Sequence, residues 1–411
     1  AWEDLLGRDN EKPMRFALAL APKNIEKLKE AKLVPVQGAA ESIIQGLHST
    51  AQGNTSSIYG YLHYSLLLAI LDIISLYMAT QLQDILFGSP FPKISKIGLN
   101  VLKEDMVNIV VHGHLPLLSE KVVESAPRFK DLAQSAGAKD INIVGICCSG
   151  NEILMRQGVP MVGSTIMQEL VLGTGLVEAM CVDVQCIYPS LSHTKQGFHT
   201  KLITTMPEAR MEGEHFIRFK EEEAEEVAGK IIQEAISAFK NRDANKVFLP
   251  KTAPQDLVAG FSVESLLEVL KKINPDNPLA ALIKPIKDGD IQGVALLAGC
   301  LSPKVQTDMS HVTIAKELIK NNVLVLATGC AATACARHGL LNSQAEQLAG
   351  SSLREVLKIL GEKAGLKTSL PPVLHFGACV DNSRAVVLAS ALADELSVSL
   401  DQLPLVVSAA E

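Results

Sequence analysis

The sequence predicts an α/β protein: an N-terminal helical segment followed by two open domains built on parallel sheets. Three observations predict it. Residues 14 to about 88 carry helical spacing with little strand signal, short β-rich runs then alternate with helical stretches, and two Gly/Pro-containing breaks divide the pattern. The chain has 411 residues, more than one ordinary core accommodates, and its 47% hydrophobic and 20% charged content is that of a globular protein.

The helical segment, 1–89, holds "PKNIEKLKEAKL", "AAESIIQGLHSTA" and the apolar window "SLLLAILDIISLYMATQL" (65–82). Asp72 interrupts that window, which is shorter than the roughly 20 residues of a spanning helix. It therefore reads as a helix buried in protein, with no membrane span. "GSPFPKISKIG" (88–98) ends this segment. The first sheet domain, 90–250, alternates "VNIVV" (107–111), "INIVG" (141–145) and "VEAMCVDVQC" (177–186) with helices. "EEEAEEVAGKIIQEAISAFKNR" (221–242) places acidic residues in its first turn and basic ones in its last, which complements the helix dipole and needs no further role. A second break, "NRDANKVFLPKTAPQD" (241–256), leads into the domain 251–411, cut short at its C-terminus. Its strands are "GVALLAG" (293–299), "VLVLAT" (323–328) and "VLHFGA" (373–378). Runs of this kind alternating with helices mark βαβ units, whose sheets are buried on both faces.

A net charge of −7, the absence of a Lys/Arg block and only 4% aromatic residues argue against a nucleic-acid partner. Residues 1–20 lack the pattern of a signal peptide. The eight cysteines do not form the dense framework of a small secreted domain, so a reducing, cytoplasmic setting is expected. The start at "AWEDLLG" without Met and the stop at "PLVVSAAE" read as cut edges of a longer protein.

The strand ends share one property. "VNIVVHGH" ends at His112 and His114, "INIVGICC" at Cys147 and Cys148, "CVDVQC" at Cys186, "GVALLAGC" at Cys300, "VLVLATGC" at Cys330 and "VLHFGAC" at Cys379. Ligands of open parallel sheets gather outside the carboxyl ends of the strands, so two facing sheets would aim five thiols and an imidazole into one crevice. The glycines before Cys300 and Cys330 suit tight turns and close backbone approach to a bulky inorganic group. That donor set exceeds the four ligands of structural zinc, and soft thiolates with one imidazole favour a multinuclear cluster. Its competitor is a set of structural cysteines, since a free thiol packs as a small hydrophobe. His112 reads as a hydrogen-bonding neighbour and His375 as a core histidine. Cys147 should point away from Cys148 and pack, if the strand continues through both. Cys181 falls at the start of its strand, far from Cys186, and Cys335 on a helix; both read as packing. Asn151, Glu152, Asp381, Asn382, Ser383 and Arg384 follow these thiols and could orient them.

"VVHGHLPLLSE", "GICCSGNEILMRQGVP", "CVDVQC", "HTKLITT", "VAGFSVE", "NNVLVLATGC" and "HFGACVDNSR" resemble the catalytic subunit of anaerobic nickel-containing carbon monoxide dehydrogenase, from about residue 34 to the end. The resemblance implies a helical domain followed by two Rossmann-like domains, and interconversion of CO and CO2 at a nickel–iron–sulfur cluster, the C-cluster. It places His114 and Cys148 on the iron outside the cubane, Cys186, Cys300 and Cys330 on the other irons, and Cys379 on nickel. It divides the work between two metals: nickel takes up CO, and the outer iron acidifies water. It further implies a homodimer, a ferredoxin-like electron acceptor and a possible acetyl-CoA synthase partner. The family's proton-relay histidines and lysine, and the cysteines of its 4Fe-4S relay clusters, fall outside this chain. Bound NAD is not implied, because "GTG" (173–175) lacks a third glycine and precedes a strand. Leu115, Leu301 and Ser302 stand where the family has amides. These departures keep alive a non-catalytic divergent homologue. The related hybrid cluster protein, a hydroxylamine or nitric oxide reductase, is the other alternative, but its glutamate ligands are not evident at these strand ends.

Overall fold

The computed structural model describes residues 22–35, 39–366 and 368–410. Residues 1–21, with the part of the helical segment expected there, lie outside them. The chain divides into two compact units. One comprises 1–89, 262–294 and 380–406; the other comprises 90–261, 295–379 and 407–411. The boundary near residue 89 coincides with the Gly/Pro break. Beyond it the units interleave along the sequence, whereas the division 1–89, 90–250 and 251–411 follows chain order. The reason is that helices from later in the sequence pack with the N-terminal ones.

In the first unit, Ser57 caps a 30-residue helix, Ile58–Phe87, by accepting the Gly60 N–H. The expected buried helix is longer and far less covered than the sequence reading had it. Only Leu71, Ile74, Met78 and Thr80 are buried, and 22% of its most apolar window lies inside. By length and composition alone it could cross a membrane. The helix is apolar all round, so one neighbour covers only one stripe of it. The helix Asn382–Glu395 is one such neighbour and the helix Ala39–Ala51 is another; the first of them holds it through polar side chains. Its buried Arg384 grips Asp84 with two bonds of 2.8 and 2.7 Å and Asp381 with a third of 2.8 Å, while Ser383 meets Thr80 at 2.9 Å.

The second unit holds most of the sheet residues. In chain order the strands are β1 (Lys93–Ile97), β2 (Val107–Gly113), β3 (Ile141–Ile146), β4 (Val177–Val182), β5 (Lys201–Thr204), β6 (His215–Phe216), β7 (Gln255–Ala259), β8 (Gly293–Leu297), β9 (Val323–Thr328), β10 (Val373–Gly377) and β11 (Leu405–Ser408). One sheet has the order β3-β2-β4-β5-β6 and is parallel throughout. The other has the order β1-β7-β10-β9-β8-β11, with β1 antiparallel to β7 and β7, β10 and β9 parallel. The predicted α/β class with parallel sheets is thus realised, and β1, β5, β6, β7 and β11 are additions the patterning did not resolve.

Every residue of β2 is buried. Ile109 and Val111 join the core under the helices Pro116–Ser125 and Ala224–Phe239, while Val110 joins Val144, Met180 and Leu202 on the opposite face. Successive residues facing opposite ways explain why the strand reads as a continuous apolar run. β4 stops at Val182, four residues short of Cys186. Cys181 is therefore near the end of its strand, not the start.

Candidate metal centre

The centre begins at the end of β2. Gly113 has φ +130°, and a Cβ there would collide with the Asp183 carboxylate. That closeness lets Asp183 accept the backbone N–H groups of His114 (2.5 Å), Leu115 (3.2 Å) and Val184, together with the Ser149 hydroxyl (2.8 Å). One buried carboxylate thereby ties together the end of β2, the turn after β4 and the helix Cys147–Gln157. Burial raises its pKa, and the bonds it accepts oppose that rise.

His114 is aimed by its surroundings. Its Nδ1 lies 3.0 Å from the Val184 carbonyl, an acceptor only, so Nδ1 carries a proton and Nε2 is the nitrogen that faces inward, its lone pair available when the ring is neutral. Nε2 lies 3.9 Å from Cys186 Sγ. Burial disfavours charge on this ring, yet the contact with Cys186 and that thiolate's charge outweigh it and raise the pKa.

The thiols come together in contacts that cross the two sheets. Cys147 touches Cys186 and Cys330, and Cys148 touches Cys379, whose N–H points at Cys148 Sγ from 3.3 Å. Contact with Cys147, and then with His114, brings Cys186 down to about 4. Contact with Cys148 brings Cys379 down to about 7. Their partners move the other way: burial first, and these contacts next, push Cys147 well up, while for Cys148 the Cys379 contact leads. Thiols that share protons in this way are poised to release them to a metal. Cys330 is the second residue of the helix Gly329–Arg337. Gly329 has φ +53°, and a Cβ there would sit 2.5 Å from Cys379 Sγ, so only glycine leaves room for that sulfur.

Cys300 differs from the others. It is exposed, follows β8 on a segment without regular structure, and makes no direct thiol contact among the described residues. Burial raises its pKa, and the charges of Cys330, Cys379 and Cys186 add to the rise, so it stands at the edge of the same group. Its neighbour Leu301 is buried against Cys330, Ala334 and Ile166.

The structure therefore gathers His114, Cys148, Cys186, Cys330 and Cys379, adds Cys147, and leaves Cys300 at the rim. Cys147 corrects the expectation that it would pack away from the site. β3 ends at Ile146 and Cys147 turns to φ +58°, so strand alternation does not carry through to Cys148. Cys186, at φ +54°, shares this disfavoured left-handed backbone. Cys181 and Cys335 are buried core thiols, and burial pushes Cys335 up to about 12. His112 and His375 are buried, and burial lowers both to about 4. Asn151 joins Cys147 to His375, whereas Glu152 pairs with Arg156, and Asp381 and Arg384 pair with each other. Asp183, Gln168, His311 and Thr165, whose hydroxyl donates to the Cys186 carbonyl at 3.2 Å, are not found by the sequence reading. Asp183 carried a signal, as an acid at a buried strand end inside "CVDVQC"; the other three carried none.

Among the described residues no three His, Cys, Asp or Glu side chains are arranged to hold a single metal ion. The donors are spread and rich in soft sulfur, with one imidazole whose lone pair is oriented and a glycine that makes space. That set fits a polynuclear, sulfur-ligated group in which different donors serve different metals.

The Prismane/CO dehydrogenase family matches residues 2–411. The chain is 52% identical over 345 residues to carbon monoxide dehydrogenase 1 of Carboxydothermus hydrogenoformans, covering 84% of this chain and 54% of the relative. It is 44% identical over 411 residues to carbon monoxide dehydrogenase of Rhodospirillum rubrum, covering 99% of this chain and 64% of the relative. The solved structure of carbon monoxide dehydrogenase IV from Carboxydothermus hydrogenoformans superposes with a TM-score of 0.96 at 44% identity, over 99% of this chain and 65% of that one. The chain thus spans less than two thirds of the length of these relatives.

Proposed function

The chain belongs to the Prismane/CO dehydrogenase family, and on that premise we propose that it carries the site at which CO and water are converted to CO2, two protons and two electrons, and the reverse. The observation that carries this reading is the convergence of thiols from both sheets on an oriented imidazole. His114, Cys148, Cys186, Cys300, Cys330 and Cys379 would hold the nickel–iron–sulfur cluster. When bound, the cluster supplies the Lewis acidity that activates CO and water and the redox capacity for two electrons.

The chain's own residues prepare that binding. Asp183 and the Val184 carbonyl hold the His114 ring so that Nε2 faces inward. The Cys148–Cys379 pair would lose its shared proton on loading, whereas Cys186, down to about 4, already presents a thiolate and Cys147, outside the ligand set, keeps its proton. Leu301, buried against Cys330, keeps water from that side of the thiols. The family resemblance supports a cytoplasmic homodimer that passes electrons to a ferredoxin-like acceptor, with acetyl-CoA synthase as a further partner.

The test is anaerobic production with nickel, iron and sulfide, followed by CO-dependent reduction of methyl viologen. Nickel in the protein together with viologen reduction is the expected result. Iron and sulfide without nickel, accompanied by hydroxylamine reduction, would transfer the chain to the hybrid-cluster chemistry. Metal binding with neither activity would make it a non-catalytic homologue.

A further inference from the structure

Three buried histidines outside the proposed ligand set share one geometry. His112 Nε2 lies 3.0 Å from Gln168 Oε1, and Gln168 Nε2 donates to the Cys186 carbonyl at 3.0 Å. His375 Nε2 lies 2.8 Å from Asn151 Oδ1, and Asn151 Nδ2 donates to the Cys147 carbonyl at 2.8 Å. His311, in the first turn of the helix Met309–Lys320, places Nε2 3.0 Å from the Cys300 carbonyl with no intermediary. The direction of each bond follows from its acceptor. A carbonyl can only accept, and each amide already spends its nitrogen on a cysteine carbonyl and turns its oxygen to the imidazole, so Nε2–H donates in all three. All three side chains are at least 99% buried, and Nδ1 of each has no protein partner among the described residues.

We propose that His112, His311 and His375 are positioning residues of the metal centre, each fixing the main chain of one cysteine-bearing turn, at Cys186, Cys300 and Cys147 respectively. The choice of turns is what carries the argument. Cys147 and Cys186 are the two cysteines in the left-handed region, and Cys300 follows Gly299 at φ +98° on a segment with no regular structure. Backbone of that kind keeps one conformation only where its surroundings over-determine it. A carbonyl held from behind by a buried donor supplies that constraint and leaves the sulfur free for a metal. Loops bearing ligands are thereby pre-organised by residues that touch no metal.

His311 gives the direct test, because no second side chain intervenes. His311→Leu removes the donor, and His311→Gln retains an N–H of similar reach. In the metal-free chain, hydrogen–deuterium exchange across 298–302 is expected to quicken about fivefold in His311→Leu, the factor set by one hydrogen bond of ordinary net strength. His311→Gln should stay near the parent, and β9 should be unchanged in both. This arm stands without the functional reading. The second arm rests on that reading: after anaerobic loading with iron and sulfide, His311→Leu should lose iron to a chelator about 10–100-fold more readily, with recovery in His311→Gln. Equal behaviour of the two variants, or loosening that spreads to β9, would overturn the assignment. If the parent itself holds no iron, the functional reading fails while the exchange arm still decides this one. Should His311→Leu not fold, His375→Leu against His375→Gln puts the same question to the turn at Cys147.

Discussion

Asp183→Asn asks the most of the geometry with the least change of shape. Asp183 Oδ1 accepts from His114 and Val184, and Oδ2 accepts from Leu115 at 3.2 Å and Ser149 at 2.8 Å. An asparagine keeps one acceptor oxygen and turns the other into a donor. With its oxygen kept on the His114 side, the Ser149 hydroxyl can rotate to accept, but the Leu115 N–H is left facing an NH2 group. A buried donor without a partner costs about 1–3 kcal/mol, and each bond weakened from charged to neutral costs up to about 1 more. Asparagine also sheds the cost of burying a charge, the cost that raises the Asp183 pKa. The balance is a loss of about 2 kcal/mol, large against the 5–15 kcal/mol that holds a typical domain folded. Urea unfolding of the metal-free chain reads it directly, and iron retained after anaerobic loading should fall with it, because the His114 ring loses its aim. Ser149→Ala, which removes one of the four bonds, should cost less, about 1 kcal/mol. An Asp183→Asn protein as stable as the parent with undiminished iron would refute the view that this carboxylate organises the centre. So would a Ser149→Ala loss larger than that of Asp183→Asn.

Four further outcomes are expected. Gly329→Ala places a Cβ against Cys379 Sγ at a left-handed φ and should cost about 1–2 kcal/mol in backbone strain while lowering metal content, read by unfolding and metal analysis. Cys379→Ala should lose nickel and keep most iron; retention of nickel would remove Cys379 from that role. Cys335→Ala should leave metal content unchanged and cost about 1 kcal/mol for the small cavity it opens, because that thiol is wholly buried in core. Burial lowers the His375 imidazole from 6.5 to about 4. The unfolded chain therefore binds the extra proton between those values, so the stabilisation is complete above about pH 6.5 and declines as pH falls toward 4. Over that span it amounts to about 3 kcal/mol, and His375→Gln should flatten that part of a pH series of urea unfolding.

Much of the centre was legible in the sequence because two rules act locally. Apolar runs bounded by glycine mark strand ends, and ligands collect where parallel strands end. Those rules drew attention to the turns at His112 and His114, Cys147 and Cys148, Cys186, Cys300, Cys330 and Cys379, and the family resemblance supplied the choice of six among them. The same rules failed at Cys147, where a strand rule was extended one residue past the strand. A separate inference fails at Ile58–Phe87, where apolar composition does not translate into burial.

The sequence by itself determined the α/β class, the strands at the heart of both sheets and the kind of donor each strand delivers, because periodicity and residue chemistry are properties of short stretches. Only the tertiary structure decided which thiols touch, that Asp183 joins the ends of two strands to a helix, and that His311 meets the Cys300 carbonyl while His112 and His375 reach those of Cys186 and Cys147 through an amide. Those contacts join residues as far apart as Cys148 and Cys379, and such pairs are set by how whole sheets pack, which no local pattern encodes.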